Sequence, residues 1–361
     1  MRLPILAALL LASPFTACAS SDRIARAWPG SYLVVLEKNA ARAAVIEPNS
    51  GSVKDRYDVG VGPHEVAVSR NGEFAVVCDY GDGQTRGSTL TVIDLFRRVR
   101  ETTIDLAPHE RPHGIAFLDR RSTVLVTSET SSAVLEVSLR GREVERTFPT
   151  GAQGSHMLAL SPDTRRAYTA NIMSGTVSVL DLEQGTLVTQ VQVGGQSEGI
   201  DVGPDGRIWV GVNDQARVAV IDPRSLEVVA EVGELPLPIR LKAAPDGKLV
   251  VVSCAASGEV ALIDARSLQV VARLPLEKLD PVPPQAPPGF TPGTPVPVGI
   301  AIDPDSRLAF VTLQAAGRVA VVDLEEKRVR GYFEGLSAPD GIAFFLQRAD
   351  PRGSLLDGGL R

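Results

Sequence analysis

Short apolar runs recur at a steady interval along this chain, and turn-forming residues separate them. A segment of the Pro-His-Gly-Ile-Ala kind opens a first strand, as in Gly199-Ile200-Asp201-Val202. A turn such as Pro204-Asp205-Gly206 or Pro245-Asp246-Gly247 follows. Proline pre-sets φ there and glycine accepts positive φ, so the turn closes a hairpin. A second strand is almost wholly apolar, as in Lys248-Leu249-Val250-Val251-Val252-Ser253, and a third alternates, as in Gly175-Thr176-Val177-Ser178-Val179-Leu180. The third commonly ends in aspartate (Asp94, Asp181, Asp222, Asp264, Asp323), and a fourth returns, as in Gln269-Val270-Val271-Ala272-Arg273-Leu274.

The opening segment occurs seven times. Its second position reads His64, His113, His156, Glu198, Ile239, Val298 and Asp340, spaced 49, 43, 42, 41, 59 and 42 residues apart. Four short strands per repeat of that length predict an all-β chain folded as a seven-bladed β-propeller. Tyr32 to Asp58 supplies three strands lacking a first, and Asp340 to Phe345 supplies a first strand with no followers. Together they complete a blade and close the ring, which removes exposed sheet edges. The expected organisation is a signal segment over 1–19, a linker over 20–30, the propeller over 31–346 and a tail over 347–361.

Tyr168-Thr169-Ala170-Asn171, followed by Ser174-Gly175-Thr176-Val177-Ser178-Val179, resembles the repeat of the YVTN (YncE-like) propeller family, and the resemblance covers about residues 31 to 346. It implies the seven-bladed fold and, because members are mostly binding or uncharacterised proteins, carries little about activity.

Composition adds bounds. At 44% hydrophobic and 22% charged the chain is an ordinary globular protein. A net charge of −6 with no basic run argues against nucleic acid as a partner. Arg2, the apolar run Leu3 to Ala12 and the small residues after it read as a secretory signal, too short to span a bilayer. Two cleavage sites compete: Ala17-Cys18-Ala19 as a small-x-small site, and Phe15-Thr16-Ala17-Cys18 as a lipobox that would lipidate Cys18. Both predict export, to the periplasm, outer membrane or cell surface, with the membrane touched only through a lipid anchor at Cys18. Cys78 and Cys254, four blades apart, read as core residues and not as a disulfide.

Strand direction places the chemistry. The second strand runs antiparallel to the first, so residues fifteen past the slot (Asp79, Ser128, Asn171, Asn213, Cys254, Leu313) share the slot's face, with Glu37 as the counterpart in the closing blade. The slots then form an inner ring with a polar arc, Asp340-His64-His113-His156-Glu198, and an apolar arc, Ile239-Val298. A funnel with convergent polar groups suits a small ligand. Three of the four histidines occupy consecutive slots, and His109 lies in the loop before one of them. Three imidazoles predict a metal site at His64, His113 and His156 for Zn, Fe or Cu, against polar binding without metal or simple strand capping. Glu198 and Asp340 are candidates for acid/base work. Asp79, Glu129, Asn171, Asn213 and Arg240 are candidates for ligand binding, Arg240 also as an inter-blade ion pair. The proline-dense Lys278 to Pro297 insertion reads as a surface loop or as a lid anchored by Phe290, and Gly81 to Gly87 lengthens blade one on the same face. Gly195-Gln196-Ser197-Glu198-Gly199 matches G-x-S-x-G but lacks the helix that a nucleophile elbow needs. The functional expectation is an exported module binding a small molecule or metal. The alternatives are a metal-dependent lyase or oxidoreductase, and a protein-interaction scaffold whose protein partners the sequence does not name.

Overall fold

The computed structural model describes residues 30–118, 122–282 and 288–347. They form seven sheets of four antiparallel strands each, arranged as blades around one axis. Blade one is Pro63–Val68, Phe74–Gly81, Arg86–Asp94 and Val99–Asp105, and the next five blades repeat this order. The closing blade takes Pro339–Leu346 as its inner strand and Ser31–Glu37, Arg42–Glu47 and Ser52–Asp58 as the others. Leu33 pairs with Phe344 and Val35 with Ile342, joining the two ends of the described chain. Residues 1–29, Cys18 among them, and the tail from 348 lie outside the described residues. Among those that are described, no helix is long and apolar enough to cross a membrane.

Burial explains the pattern along each strand. Second and third strands are covered by blades on both sides, so runs such as Val250-Val251-Val252 are fully buried. Outer strands show one face to solvent and alternate, as Ser52–Asp58 does. The core is therefore a set of inter-blade layers. In one, Leu33, Val35 and Ile46 of the closing blade meet Phe310, Val319 and Phe333 of blade six. Cys78 and Cys254 sit in such layers as free, buried thiols, with burial pushing Cys254 up to about 12. The third-strand aspartates hold turns: Asp94 accepts the Arg97 N–H at 2.7 Å and Asp323 the Glu326 N–H at 2.7 Å.

Near the axis the inner strands almost touch, which accounts for the glycine that often follows the slot. A Cβ on Gly114 would lie 2.6 Å from the Leu158 nitrogen, one on Gly299 2.4 Å from the Asp340 carbonyl, and one on Gly341 2.4 Å from the His64 carbonyl. Each inner strand thus rests its backbone directly on the next. Gly341→Ala should force the closing blade away from blade one and cost about 1–3 kcal/mol, as overpacking does. Urea denaturation checks this, and wild-type stability in the variant would show that the strands have room.

Candidate functional site

The seven slots converge as the spacing predicts, and three imidazoles stack. The ring centroids of His64 and His113 are 4.4 Å apart, and those of His113 and His156 are 3.8 Å apart. Tyr80 meets His64 and His113 edge-on at 5.0 and 5.3 Å. His113 is fully buried, and neither of its ring nitrogens has a hydrogen-bond partner. Burial, and then the neighbouring His156 and His64, hold its pKa well below the ordinary histidine value, so the ring stays neutral with one nitrogen free as a lone-pair donor.

The flanking histidines are tethered. Lys38 donates to His64 Nε2 at 2.8 Å, which leaves the proton on Nδ1. That Nδ1 lies 3.0 Å from Asp340 Oδ2 but out of line for a hydrogen bond. On the other side, His156 Nδ1 is bonded to Glu129 Oε1, whose second oxygen accepts the Tyr80 hydroxyl at 2.7 Å. His156 Nε2 is left without a hydrogen bond, 3.5 Å from Glu198 Oε1. Burial opposes the charge on His156, but the Glu129 and Glu198 carboxylates outweigh it and raise its pKa. Glu129 is lowered despite burial, chiefly by the bond from His156.

Charged groups close the floor. Arg240 reaches across the axis from blade five to Glu65 of blade one at 2.8 Å, and to Glu198 Oε1 at 2.9 Å. Burial works against the guanidinium, yet Glu65, Glu198 and Asp340 hold its pKa above the ordinary value. Glu198 also accepts from Asn213. Burial raises Glu198 and Asp340, but His156 with Arg240 lowers the first, and His64, Lys38 and Arg240 lower the second strongly. Both therefore stand as paired carboxylates. Gln314 completes the set around Asp340 at 3.2 Å.

The remaining candidates fall outside this cluster. Asp79 accepts the Gly60 N–H at 2.8 Å and the Thr89 and Thr91 hydroxyls at 2.8 and 2.9 Å, knitting blade one together. Asn171 donates to Thr176 and Ser178 within blade three. His109 bonds Ser131 on the surface at 2.8 Å. Ser197 donates to the Asn171 and Thr176 carbonyls, so its hydroxyl serves as a strand tie. The described part of the proline-dense insertion binds the turn of blade five, with Thr291 N–H on the Ala256 carbonyl at 2.7 Å, and Phe290 is half-buried.

The ligand atoms that converge within 4.8 Å of one another belong to His113, Glu129 and His156. Of the expected trio this group contains His113 and His156, with Glu129 as its third member, while His64 Nε2 is bonded to Lys38. The slot register did not predict Lys38, Tyr80, Glu65 or Gln314. Lys38, Tyr80 and Gln314 lie one residue past the register position. Glu65 turns inward because the inner strand is irregular between Pro63 and Val66, which breaks simple alternation.

No family model and no curated protein matches the chain. The resemblance to the YVTN repeat therefore rests on the residues quoted for it. Among solved structures, a chain of Kuenenia stuttgartiensis hydrazine synthase is similar with a TM-score of 0.62 and 20% identity, over 73% of this chain and 77% of that one. At that identity the likeness is one of fold.

Two variants test the electrostatics. Arg240→Ala leaves Glu65 and Glu198 without their shared cation and should cost about 3–5 kcal/mol, the usual result of breaking a buried pair. A loss below about 1 kcal/mol in a denaturation curve would mean water already screens them. Asp79 is raised to about 6, mainly by burial. Its folded pKa exceeds the unfolded one, so its contribution to stability is present at low pH and is lost as pH rises through about 6. Asp79→Asn lacks this titration, so its stability relative to wild type should climb between about pH 4 and about pH 7. A pH-independent difference would contradict the assignment.

Proposed function

We propose that this protein is an exported propeller of the YVTN type that binds a divalent transition metal in its axial funnel, with His113, Glu129 and His156 as the residues that hold the ion. One observation carries the reading. His113 is fully buried between two other imidazoles with both ring nitrogens unpaired. Buried polar atoms are nearly always bonded, and orphaned nitrogens close to a carboxylate are a donor set that suits a cation. The donor chemistry fits one: two imidazoles and a carboxylate suit Zn, Fe or Cu, and three protein ligands leave a position open for an outside group.

The other residues have supporting parts. Glu129 also bonds His156 Nδ1, which leaves His156 Nε2 as the nitrogen that would face the ion. His64 packs on His113 and fixes the plane of its ring. Glu198 and Asp340 are each engaged by a cation, which suits a binding site better than proton transfer. Export rests on the Arg2 to Ala19 pattern, with Cys18 as the residue a lipid would modify.

Elemental analysis of purified full-length protein is the direct test. About one equivalent of metal should be bound, and His113→Ala and His156→Ala should each remove it while the protein stays folded by circular dichroism. Glu129→Gln should weaken binding by roughly 10–100-fold. Metal-free wild type after incubation with Zn, Cu and Fe, or metal content unaffected by the two histidine variants, would refute the site.

A further inference from the structure

The metal reading leaves open what approaches the ion. A groove of about 550 Å³ opens on the same face, its lining including Lys38, Tyr80, Asp82, Arg86, Arg111, Glu129 and Met173. Of these, Lys38, Tyr80 and Glu129 are partners of the histidine stack, so the stack lies at the groove's inner end. The volume falls in the range of small-molecule sites.

Its charge is specific. Three cations line it against two carboxylates, and the carboxylates are engaged: Asp82 caps the Gln84 and Thr85 N–H groups at 2.8 and 2.7 Å, and Glu129 holds His156 and Tyr80. Lys38 is tied to Asp340 at 3.0 Å, and Arg86 to Glu110 at 3.0 Å. Arg111 differs. Its guanidinium lies 4.6 Å from the centre of the Tyr80 ring and donates to the Asp82 carbonyl at 2.7 Å, and among the described residues no carboxylate comes within ion-pair distance of it. Met173, 74% exposed, presents a thioether to the same groove. A cation already stacked on an aromatic ring and lacking an anionic partner is preorganised for one. The exposed thioether adds apolar contact suited to a ring edge.

We propose that the groove binds a small organic carboxylate carried on a planar or apolar body, with Arg111 as the anion-recognising residue. This rests on the metal reading for its full affinity, because the open position on the ion would take a second negatively charged group or one of the carboxylate oxygens. Arg111 recognises the anion whether or not the ion is present. The lengthened hairpin Gly81 to Gly87 is thereby accounted for as the groove's wall, since Gly81, Asp82, Gly83 and Arg86 all line it.

Benzoate and its uncharged analogue benzamide are suitable probes in isothermal titration of the full-length protein, with metal content measured beforehand. Benzoate should bind at least about tenfold tighter than benzamide, and Arg111→Gln should weaken benzoate by about tenfold or more while leaving benzamide and metal content unchanged, the effect of one charge-assisted hydrogen bond. Arg207→Gln, whose guanidinium stacks on Trp209 in blade four, controls for loss of a surface cation. A protein that takes no metal but still binds benzoate through Arg111 would overturn the metal reading and support this one. A protein that takes metal but binds benzoate no better than benzamide, or equally well after Arg111→Gln, would overturn the carboxylate site and spare the metal. No binding of either probe, with or without metal, also overturns it.

Discussion

The pairing of Pro339–Leu346 with Ser31–Glu37 turns seven sheets into a ring, and the ring forces seven inner strands onto one axis. That convergence brings residues from blades far apart in sequence into contact. It demands glycine where backbones meet, as at Gly299 and Gly341. It also stacks side chains that in an open sheet would be separated by a blade's width. Three histidines at consecutive slots cannot avoid one another once the ring closes.

Such crowding brings electrostatic cost, and the surrounding network offsets it. Carboxylates outnumber cations near the axis: Glu65, Glu198, Asp340 and Glu129 face Arg240 and Lys38. Burial alone would protonate the acids, but His156 with Arg240 keeps Glu198 ionised, and His64 with Lys38 and Arg240 does so for Asp340. The raised pKa of His156 offsets part of that excess, and the rest lies beside unpaired imidazole nitrogens. A divalent cation there would balance the charge and satisfy the nitrogens together.

The architecture was legible in the sequence because a propeller's repeat writes itself in turns and alternation. Strand order, the closing blade and the inner ring of slot residues all follow from the spacing. Within the site, the histidine neighbours were legible from which residues share a face, and Arg240 as an inter-blade ion pair, but not its partners Glu198 and Glu65. Asp79 and Asn171 were not separable from the site, because the register says which face a residue occupies and not which hydrogen bonds already hold it. Lys38 and Glu65 escaped for a geometric reason. Both lie where the strands depart from regular pairing, in a 3-10 turn after Glu37 and at the irregularity between Pro63 and Val66, and period-two reasoning fails at such places.

The histidine stack gives the propeller a chemically distinct end of its axis, and a groove opens beside it. X-ray absorption spectroscopy of the zinc-loaded protein tests the central claim most directly. The account predicts scattering from two imidazole rings together with carboxylate oxygen, at about 2.0–2.2 Å from the metal. A spectrum without imidazole scattering, or with sulfur in the first shell, would contradict it.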